Sequence, residues 1–501
     1  MEPTNEKHPI LRALEQASQS GHSYMRTATL LTRCHAINEE SFCHELQRLA
    51  DAGSIRLDGD AVYLAETWED EDYVARRLAD YLQGKPRRIF KPLTVQPAAS
   101  GVFLNPAQRR AVELATGHDL SLIVGCAGRG KSATASALIG ALAVDPQNEL
   151  VLCAPTGKAA RNLCDATGYA AGTLHHSLHL LHSGGAQQPD ALDGKKLVIV
   201  DEAGMIPLHV FAELLRAAPD DCRIVLLGDC NQLQGIGAGN ILPDLLNVGV
   251  PCQTLSTVYR QQSQASALYA NVTGFSSARN AADFRTDDSF QFVFGTDEKI
   301  REMLVNDAVR LYRMGEDVAI ITPRRSGVPL GTAELNLLVR ERLRPMHAGM
   351  RMLQSGGLEL WDRDRVIVTQ NSAFRGCFNG DVGTLRVRDG RYDVLFPCGS
   401  ASWTDEELAR RRIPLELAYA LTVHRAQGSG YGTVLIPLSL EQMGNMLQRN
   451  LLYTAITRAK QRVILYCTDG ALDRAIQTSP PYRRSRLVER TRAHVRETGA
   501  A

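Results

Sequence analysis

Between residues 118 and 230 the chain alternates short, uninterrupted apolar runs with longer stretches of helical periodicity. The runs are LSLIV, ELVLCAP, KLVIVD and RIVLLGD, and polar residues follow each of them. Apolar runs of this length are typical of strands buried on both faces, and helices between them indicate parallel βαβ connections. The pattern predicts an α/β domain whose polar clusters lie at the carboxyl ends of its strands, where such sheets bind ligands.

A second set of apolar runs follows, namely DVAIITPRR, GTVLIPLSL and QRVILYC. These predict another α/β core, which has no glycine-rich phosphate loop of its own. Between the first two runs, residues 355–415 alternate in hydrophobicity every second residue and carry Gly and Asp turns. That texture predicts a small antiparallel barrel inserted into the second core.

The region before the first core has a different pattern. Residues 10–50 read as short amphipathic helices, and SIRL and AVYL then flank the dipeptide Asp58-Gly59, a strong hairpin signal. Helices followed by such a wing predict a winged-helix-like module, closed by a helix that ends near Gly84. The segment 85–100 has three prolines and little periodicity, which is typical of a linker.

Together these patterns predict the division of the chain. The predicted parts are an N-terminal winged-helix-like module at 1–84, a linker at 85–100, a first core at 101–250 with a short insert at about 178–194, a second core at 251–354 and 416–478 with its own insert at 355–415, and a basic C-terminal tail at 479–501.

Composition indicates the compartment and the class of protein, but it does not indicate a function. Charged residues make up 22% of the 501 residues and the formal net charge is +1, so a nucleic-acid partner would need a local basic track. No apolar run approaches the roughly 18 residues of a membrane span, and the acidic start does not read as a signal peptide. The eleven cysteines form no C-x-x-C pair. We therefore expect a soluble cytoplasmic protein in a reducing compartment.

The strongest chemical signal is GCAGRGKS, Gly125 to Ser132, which fits G-x-x-x-x-G-K-[ST] at every fixed position. Glycines let backbone N–H groups turn toward phosphate oxygens, Lys131 can reach the β- and γ-phosphates, and Ser132 can hold Mg²⁺. A plain glycine-rich turn is the alternative, but the flanking strand and helix favour nucleotide binding. The predicted phosphate-binding residues are Gly125, Gly128, Arg129, Gly130, Lys131, Ser132 and Ala133.

Carboxylates and amides at the next strand ends suit hydrolysis. Asp201, directly after an apolar run, suits support of Mg²⁺, and Glu202 suits deprotonation of the attacking water. Gln232 can respond to the γ-phosphate from the following strand end. Gln108, shortly before the phosphate loop, has a carboxamide that can hydrogen-bond both the acceptor and the donor of the adenine edge, which would favour ATP over GTP.

The order of motifs resembles the RecD-like DNA helicases of superfamily 1, the branch that moves 5′ to 3′. The matching stretches, over about residues 101–470, are GCAGRGKS, APTGKAARNL, TLHHSL, VDEAG, GDCNQL, VYRQ, ITPRRSGVPLGTAELN, FNGDVGTL, AYALTVHRAQGS and LLYTAITRAK. The resemblance implies tandem RecA-like cores, with the insert at 355–415 as an SH3-like barrel.

By position, the resemblance assigns further residues. Arg260 in VYRQ and Arg458 in ITRAK match two arginines that reach the γ-phosphate from the second core, and Gln427 and Gly428 match a motif near the nucleotide and the strand. Positions that touch DNA in the family match Thr156, Lys158, Thr173, His175, Asn379, Thr422 and His424.

The implied function is an ATP- and Mg²⁺-dependent DNA helicase or translocase that moves 5′ to 3′ on single-stranded DNA, in DNA repair or recombination. Its implied partners are single-stranded and duplex DNA and a nuclease, recombination or replication protein, with the chain itself a monomer or weak oligomer. Two alternatives stay open: an RNA helicase, and a regulatory ATPase subunit that does not unwind. Two departures bear on unwinding: GIGAGN replaces the usual proline-serine after QL, and the segment that would carry the strand-splitting pin is short.

Overall fold

The computed structural model describes residues 8–34, 38–84, 104–126, 128–180, 191–257, 265–346, 350–355, 358–397, 399–410 and 413–499. The predicted linker at 85–100, most of the insert predicted at 178–194, and Arg260 lie outside these residues. Among the described helices, none combines the length and apolar character that a membrane span requires.

The N-terminal part combines four helices with a three-stranded antiparallel sheet in the order β1-β3-β2. The predicted hairpin is confirmed: β2 and β3 pair around Gly59, with Asp58 opposite Ala61. The elements are α1 (Pro9–Gln19), β1 (Tyr24–Arg26), α2 (Thr27–Arg33), α3 (Glu39–Asp51), β2 (Ile55–Asp58), β3 (Ala61–Leu64) and α4 (Ala65–Gln83).

The first core is a six-stranded parallel sheet in the order β6-β5-β7-β8-β4-β9. Its elements are α5 (Pro106–Gly117), β4 (Leu120–Val124), α6 (Lys131–Leu142), β5 (Leu150–Ala154), α7 (Gly157–Thr167), β6 (Ala171–Thr173), α8 (Leu174–Ser177), β7 (Leu197–Val200), α9 (Leu208–Ala217), β8 (Arg223–Gly228), α10 (Ile241–Val248) and β9 (Cys252–Thr254). The four apolar runs predicted four of its strands, namely β4, β5, β7 and β8, and missed the short β6 and β9.

Alternate residues of these strands pack on opposite faces of the sheet. Ile123 and Leu227 join the apolar residues of α5, α6 and α7, whereas Leu122 and Leu226 join those of α9 and α10. The helix α4 also belongs to this second face, through buried Val74, Ala75 and Leu78. A cut after residue 84 would therefore remove part of the core beneath the first sheet.

The first sheet extends past the boundary predicted at residue 250. The strand β9 pairs with β4, and Leu122 lies opposite Cys252. The prediction missed this strand because it is three residues long and only partly buried, so it gives no apolar run.

The second core is a five-stranded parallel sheet in the order β10-β21-β20-β11-β19. Three of these strands follow the insert in the chain: β19 (Ala420–Thr422), β20 (Tyr431–Leu438) and β21 (Ala459–Cys467). Before the insert, its elements are α11 (Ala267–Gly274), β10 (Phe290–Phe294), α12 (Asp297–Arg313), β11 (Val318–Thr322) and α13 (Thr332–Leu343). The sequence predicted three of these five strands and missed β10 and the short β19.

The insert is antiparallel, as predicted, but its strands run from Met352 to Leu417 rather than from 355 to 415. It holds a two-stranded hairpin and a five-stranded sheet in the order β17-β16-β15-β14-β18. The elements are β12 (Met352–Ser355), β13 (Leu358–Trp361), β14 (Arg365–Val368), β15 (Val382–Arg388), β16 (Arg391–Leu395), β17 (Ser400–Thr404), α14 (Asp405–Arg410) and β18 (Leu415–Leu417). Its resemblance to an SH3 barrel stays a prediction.

The chain then completes the second core and ends in a packed helix. The elements are β19 (Ala420–Thr422), α15 (Val423–Ala426), β20 (Tyr431–Leu438), α16 (Leu440–Met443), α17 (Arg449–Ile456), β21 (Ala459–Cys467), α18 (Ala471–Gln477) and α19 (Leu487–Gly499). The predicted basic tail includes α19, and buried Leu487 joins the apolar cluster beneath the first sheet. This segment is therefore part of the packed structure.

Candidate nucleotide pocket and strand-binding cleft

The phosphate loop lies between β4 and α6. Gly128 and Gly130 have φ of 79° and 80°, a left-handed backbone that glycine adopts without strain. The Lys131 ammonium donates hydrogen bonds to the carbonyl oxygens of Gly125 (2.7 Å) and Cys126 (3.4 Å). The lysine is thus folded into the loop, with the N-terminus of α6 beginning at the same residue.

Asp201 and Glu202 follow β7 on the same side of the sheet. The Asp201 carboxylate accepts a hydrogen bond from the Glu202 backbone N–H (2.8 Å). Glu202 itself has φ of 52°, a left-handed conformation that costs a non-glycine residue about 1–3 kcal/mol. Strain of this kind persists where surrounding structure fixes the backbone, and it is often found at functional residues.

These groups line a pocket of about 330 Å³ between the two cores. Arg458, from the second core, is 2% exposed, and its guanidinium donates to the carbonyl oxygens of Thr454 (3.0 Å) and Ser429 (3.4 Å). Gln232 is also buried, and its Oε1 has no hydrogen-bond partner among the described residues. The lining residues are Gly128, Arg129, Gly130, Lys131, Ser132, Ala159, Asn162, Asp201, Glu202, Gln232, Gly428 and Arg458.

Four predicted nucleotide residues do not line this pocket: Gln108, Gly125, Ala133 and Gln427. The Gly125 carbonyl lies behind it, as an acceptor for Lys131. Gln108 accepts from the Asn105 N–H (3.0 Å) in a capping box, and its amide donates to the Gly130 carbonyl (3.4 Å). Ala133 lies in the first turn of α6. Gln427 lines the neighbouring cleft instead. The predicted adenine contact of Gln108 would require its amide to share or leave the capping bond.

Buried hydrogen bonds join the two cores behind the pocket. The Tyr453 hydroxyl, from the second core, donates to the Asp229 carboxylate (2.9 Å), which also accepts from Gln232 Nε2 (3.2 Å). Burial first, and then the Asp229 charge, raise the pKa of Tyr453 far above its usual value, so Tyr453 stays a hydrogen-bond donor. Next along the chain, the Leu233 N–H donates to the Thr454 hydroxyl (2.9 Å).

The backbone then continues into a second cleft of about 450 Å³. The Leu233 carbonyl accepts from Gln427 Nε2 (3.1 Å), and Gln234, Gly235 and Ile236 line the cleft wall. One continuous segment therefore touches the nucleotide pocket, the second core and this cleft. The cleft is lined by Pro155, Thr156, Gly157, Lys158, Thr173, Leu174, His175, Met205, Ile206, Pro207, Val210, Gln234, Gly235, Ile236, Asn371, Asn379, Gly380, His424, Arg425 and Gln427.

Six of the seven residues predicted to touch DNA line this cleft, and the seventh, Thr422, caps the helix that carries His424. The hydroxyls of Thr156, Thr173 and Thr422 each accept the backbone N–H three residues on, at 3.2–3.3 Å. Each hydroxyl keeps its own hydrogen, which suits donation to a phosphate oxygen.

Charge in the cleft is tuned by burial. Burial lowers the pKa of Lys158 to about 8, and its ammonium lies 5.7 Å from the Tyr431 ring centroid. Burial also lowers the pKa of His175 and of His424, so both imidazoles are neutral near pH 7. Neutral imidazoles suit stacking on bases or hydrogen bonding, whereas Lys158 is suited to a phosphate.

The insert docks on the first core beside this cleft. Arg161, on α7, pairs with buried Asp381 (3.3 Å) and donates to the Gly376 carbonyl (3.0 Å). The Asn379 N–H donates to the Asn371 side chain (2.8 Å). A Cβ on Gly157 would lie 2.5 Å from the Phe378 side chain, so the contact depends on glycine.

Sequence reasoning missed several of the joining residues. Asn162 donates from its amide to the Gly428 carbonyl, and Arg161 and Tyr453 make the bonds described above. Arg161 and Asn162 lie inside APTGKAARNL, and Tyr453 inside LLYTAITRAK, so the motifs contained them. Their roles depend on partners more than 200 residues away in the chain, which no local pattern reveals.

Comparisons with known proteins agree with this arrangement. Residues 103–288 match the AAA domain family, and residues 417–466 match the UvrD-like helicase C-terminal domain. The chain is 32% identical to the ATP-dependent RecD2 DNA helicase of Deinococcus radiodurans, over 95% of this chain and 67% of that protein. It is 29% identical to the RecBCD enzyme subunit RecD of Mycolicibacterium smegmatis, over 84% and 81% of the two chains.

We expect Glu202→Gln to bind ATP but to hydrolyse it at least about 10²-fold more slowly, because the amide cannot take the proton of the attacking water. Steady-state ATP hydrolysis and nucleotide binding, measured on the same preparation, check this. Glu113→Gln, an exposed position on α5, is the matched control and should hydrolyse ATP at the parent rate. Normal turnover in Glu202→Gln would remove Glu202 from this role.

Lys158 should make strand binding depend on pH. A bound phosphate favours the charged lysine, so its contribution is present below pH about 8 and is lost as pH rises through the bound-state pKa. Affinity for a fluorescent oligo-dT, measured by anisotropy between pH 7 and 9.5 at fixed ionic strength, should fall up to about 10-fold per pH unit above 8.

Lys158→Arg stays charged throughout this range, so its affinity should be nearly flat with pH. Lys299→Arg, an exposed position on α12, should keep the parent slope. A parent-like slope in Lys158→Arg would show that another group is responsible.

Proposed function

The chain belongs to the RecD-like family of ATP-dependent DNA helicases, and on that basis we propose that it hydrolyses ATP between its two parallel-sheet cores to move 5′ to 3′ along single-stranded DNA and to separate duplex strands. The observation that carries this proposal is the segment 229–236. It contacts the nucleotide pocket through Gln232, the second core through Leu233, and the cleft through Ile236.

The nucleotide pocket supports ATP hydrolysis. Lys131 and the loop N–H groups suit the β- and γ-phosphates, Glu202 would take the proton of the attacking water, and Gln232 would hydrogen-bond that water or the γ-phosphate. Ser132 and Asp201 line the same pocket and offer the hydroxyl and carboxylate oxygens that Mg²⁺ prefers, so they would hold the ion. A bound Mg²⁺ would neutralise charge on the phosphates.

Arg458 would bring a positive charge from the second core to the bound nucleotide. A guanidinium delivered across a cleft stabilises the charge that develops on the transferred phosphoryl group. Since Arg458 is held by α17 and the loop before β20, ATP would draw the two cores together and hydrolysis would release them. Arg260, in the same proposed role, rests on family resemblance alone.

The cleft supports binding of a single strand rather than of a small molecule. Its polar groups are spread along both cores and the insert: Thr156 and Lys158 from the first core, His424 from the second, and Asn379 from the insert. A strand held at two places by groups on different cores would be gripped alternately as the cores open and close. That alternation would convert each ATP turnover into a step.

Arg458→Ala should keep nucleotide affinity within a few-fold and lower DNA-stimulated hydrolysis by about 10³-fold, because the transition state loses its cation from the second core. Stopped-flow phosphate release with saturating oligo-dT measures this. Arg462→Ala is the control: Arg462 lies on β21 and pairs with Glu316 (2.7 Å), outside the residues that line the pocket. Parent-level hydrolysis in Arg458→Ala would contradict closure of the two cores on ATP.

The direction of movement rests on resemblance, because FNGDVGTL and TVHRAQGS occur together in the 5′-to-3′ branch. We expect the protein to strip streptavidin from the 3′ end of a biotinylated oligodeoxynucleotide and not from the 5′ end, in the presence of ATP and Mg²⁺. The Glu202→Gln variant is the matched control and should strip neither end. The reverse preference would contradict the polarity, and equal stripping of RNA would favour an RNA helicase.

A further inference from the structure

The C-terminal segment 483–499, here called the strap, lies between the N-terminal part and the first core. Its helix α19 packs along α4, and Gln83 donates to the Val495 carbonyl (3.1 Å). On its other side the strap reaches α10, where Arg492 donates to the Asn247 carbonyl (2.9 Å). The strap therefore contacts the N-terminal part and the first core at the same time.

Charged groups hold the strap to the N-terminal part. Arg486 pairs with Asp60 (2.6 Å) on the β2–β3 turn, and Arg490 pairs with Asp58 (2.5 Å) at the end of β2. Glu71, which is fully buried, accepts hydrogen bonds from the Ser485 hydroxyl (3.1 Å) and the Arg486 N–H (3.2 Å). Several charge-assisted bonds in one partly buried network fix the strap's position.

Arg483, the first residue of the strap, contacts a loop of the first core. The Arg483 guanidinium donates to the backbone carbonyls of Gly235 (2.6 Å), Gly239 (3.1 Å) and Gly237 (3.4 Å). Among the described residues no carboxylate forms an ion pair with Arg483, so these carbonyls are its observed acceptors. A guanidinium spreads five N–H donors over a planar fork, so it reaches carbonyls that are further apart than the three donors on the single nitrogen of a lysine can reach.

The three carbonyls belong to the glycine-rich loop GIGAGN, residues 235–240. Gly237 and Gly239 have φ of 116° and 100°, so this backbone is one that glycine adopts and other residues resist. A Cβ on Gly235 would lie 1.9 Å from the Met205 carbonyl oxygen. The three glycines thus leave room for close approach to the backbone, and the shape of the loop is fixed by hydrogen bonds to its carbonyls.

The N-terminal part completes this contact. The Gly239 N–H donates to the Gly21 carbonyl (3.1 Å), and a Cβ on Gly21 would lie 2.4 Å from Arg483 Nε. Beside it, the Ser23 N–H donates to the Arg484 carbonyl (2.8 Å). Three segments that are far apart in the chain therefore meet around one guanidinium.

The other end of the same loop forms a wall of the cleft. Gly235 and Ile236 line it, and the Ile236 side chain is 73% exposed. Immediately before them, Leu233 is bonded to Gln427 and Thr454 of the second core. Arg483 thus holds the far end of the segment whose near end lies in the nucleotide pocket.

We propose that Arg483 is a positioning residue for strand binding, which fixes the loop 235–239 as a wall of the cleft and ties that wall to the N-terminal part through the strap. This inference rests on the proposed function, since it assigns the strand to this cleft. A loop released from Arg483 would sample other conformations, and DNA would have to restore the ordered one at a cost in affinity.

The test compares Arg483→Ala, Arg483→Lys and the parent full-length protein. We expect Arg483→Ala to weaken binding of fluorescent oligo-dT about 10-fold by anisotropy, and to raise by a similar factor the DNA concentration that gives half-maximal ATPase stimulation. The maximal stimulated rate should fall less than about 2-fold, because the pocket itself is intact. Arg483→Lys keeps the charge, and its affinity for oligo-dT should lie between those of the parent and of Arg483→Ala. If Arg483→Ala does not fold, the comparison of Arg483→Lys with the parent is the test.

Two variants of the same strap separate positioning from general stability. Arg486→Ala removes the side-chain bonds to Asp60 and Asp58, while Arg490, Ser485 and the residue 486 N–H still hold the strap to Asp58 and Glu71. The strap therefore stays in place, and we expect a lower thermal unfolding midpoint with unchanged DNA affinity. Arg496→Ala, an exposed position near the end of α19, removes the same charge and should change neither. Parent-like DNA affinity in Arg483→Lys, or an equal loss in Arg486→Ala, would overturn the inference.

Failure of the proposed function would look different. A parent protein that neither binds oligo-dT nor shows DNA-stimulated hydrolysis would refute the assignment of the cleft to a strand, and the inference with it. A parent protein that does both, alongside an Arg483→Lys variant with unchanged values, would refute the inference alone.

Discussion

The hydrogen bonds that hold residues 229–239 are the constraint on which the nucleotide pocket and the neighbouring cleft both depend. This segment leaves the sheet after β8 and forms neither helix nor strand, so its polar groups need partners from elsewhere. The partners come from Tyr453 and Thr454 of α17, from Gln427, and from Arg483 of the strap. These partners belong to the second core and to the strap, so a movement of either part relative to the first core alters the same short segment.

The cleft beside the nucleotide pocket carries few charged groups, and burial weakens the basicity of those that titrate. Lys158, His175 and His424 are all partly desolvated, and each has its pKa lowered in consequence. Of the two cations among the described lining residues, Lys158 has reduced basicity and Arg425 is paired with Glu416, beside neutral rings and hydroxyls. This modest positive charge fits a chain with a formal net charge of only +1. A weakly charged cleft would let a strand pass, whereas a dense basic track would hold it in place.

Both the N-terminal part and the C-terminal strap are packed into the rest of the molecule. Composition described the C-terminal residues as a basic tail, and the N-terminal residues as a separate module joined by a linker. In the structure the arginines of the strap are used inside the molecule, on Asp58, Asp60 and three glycine carbonyls. Because α4 and Leu487 share the apolar cluster beneath the first sheet, the N-terminal part, the strap and the first core form one packed unit.

Local patterns determined four of the six strands of the first core, three of the five in the second, the Asp58-Gly59 hairpin and the antiparallel insert. The reason is that apolar periodicity and turn residues occur at consecutive positions in the chain. The phosphate loop and the Asp201-Glu202 pair were likewise found as motifs, and their residues converge on one pocket. Short strands such as β9 and β19, and the bonds of Arg161, Asn162, Tyr453 and Arg483, were decided by tertiary structure alone. Each of these depends on a partner far away in the chain: an isolated three-residue strand or an arginine on a helix has no preferred neighbour until packing supplies one.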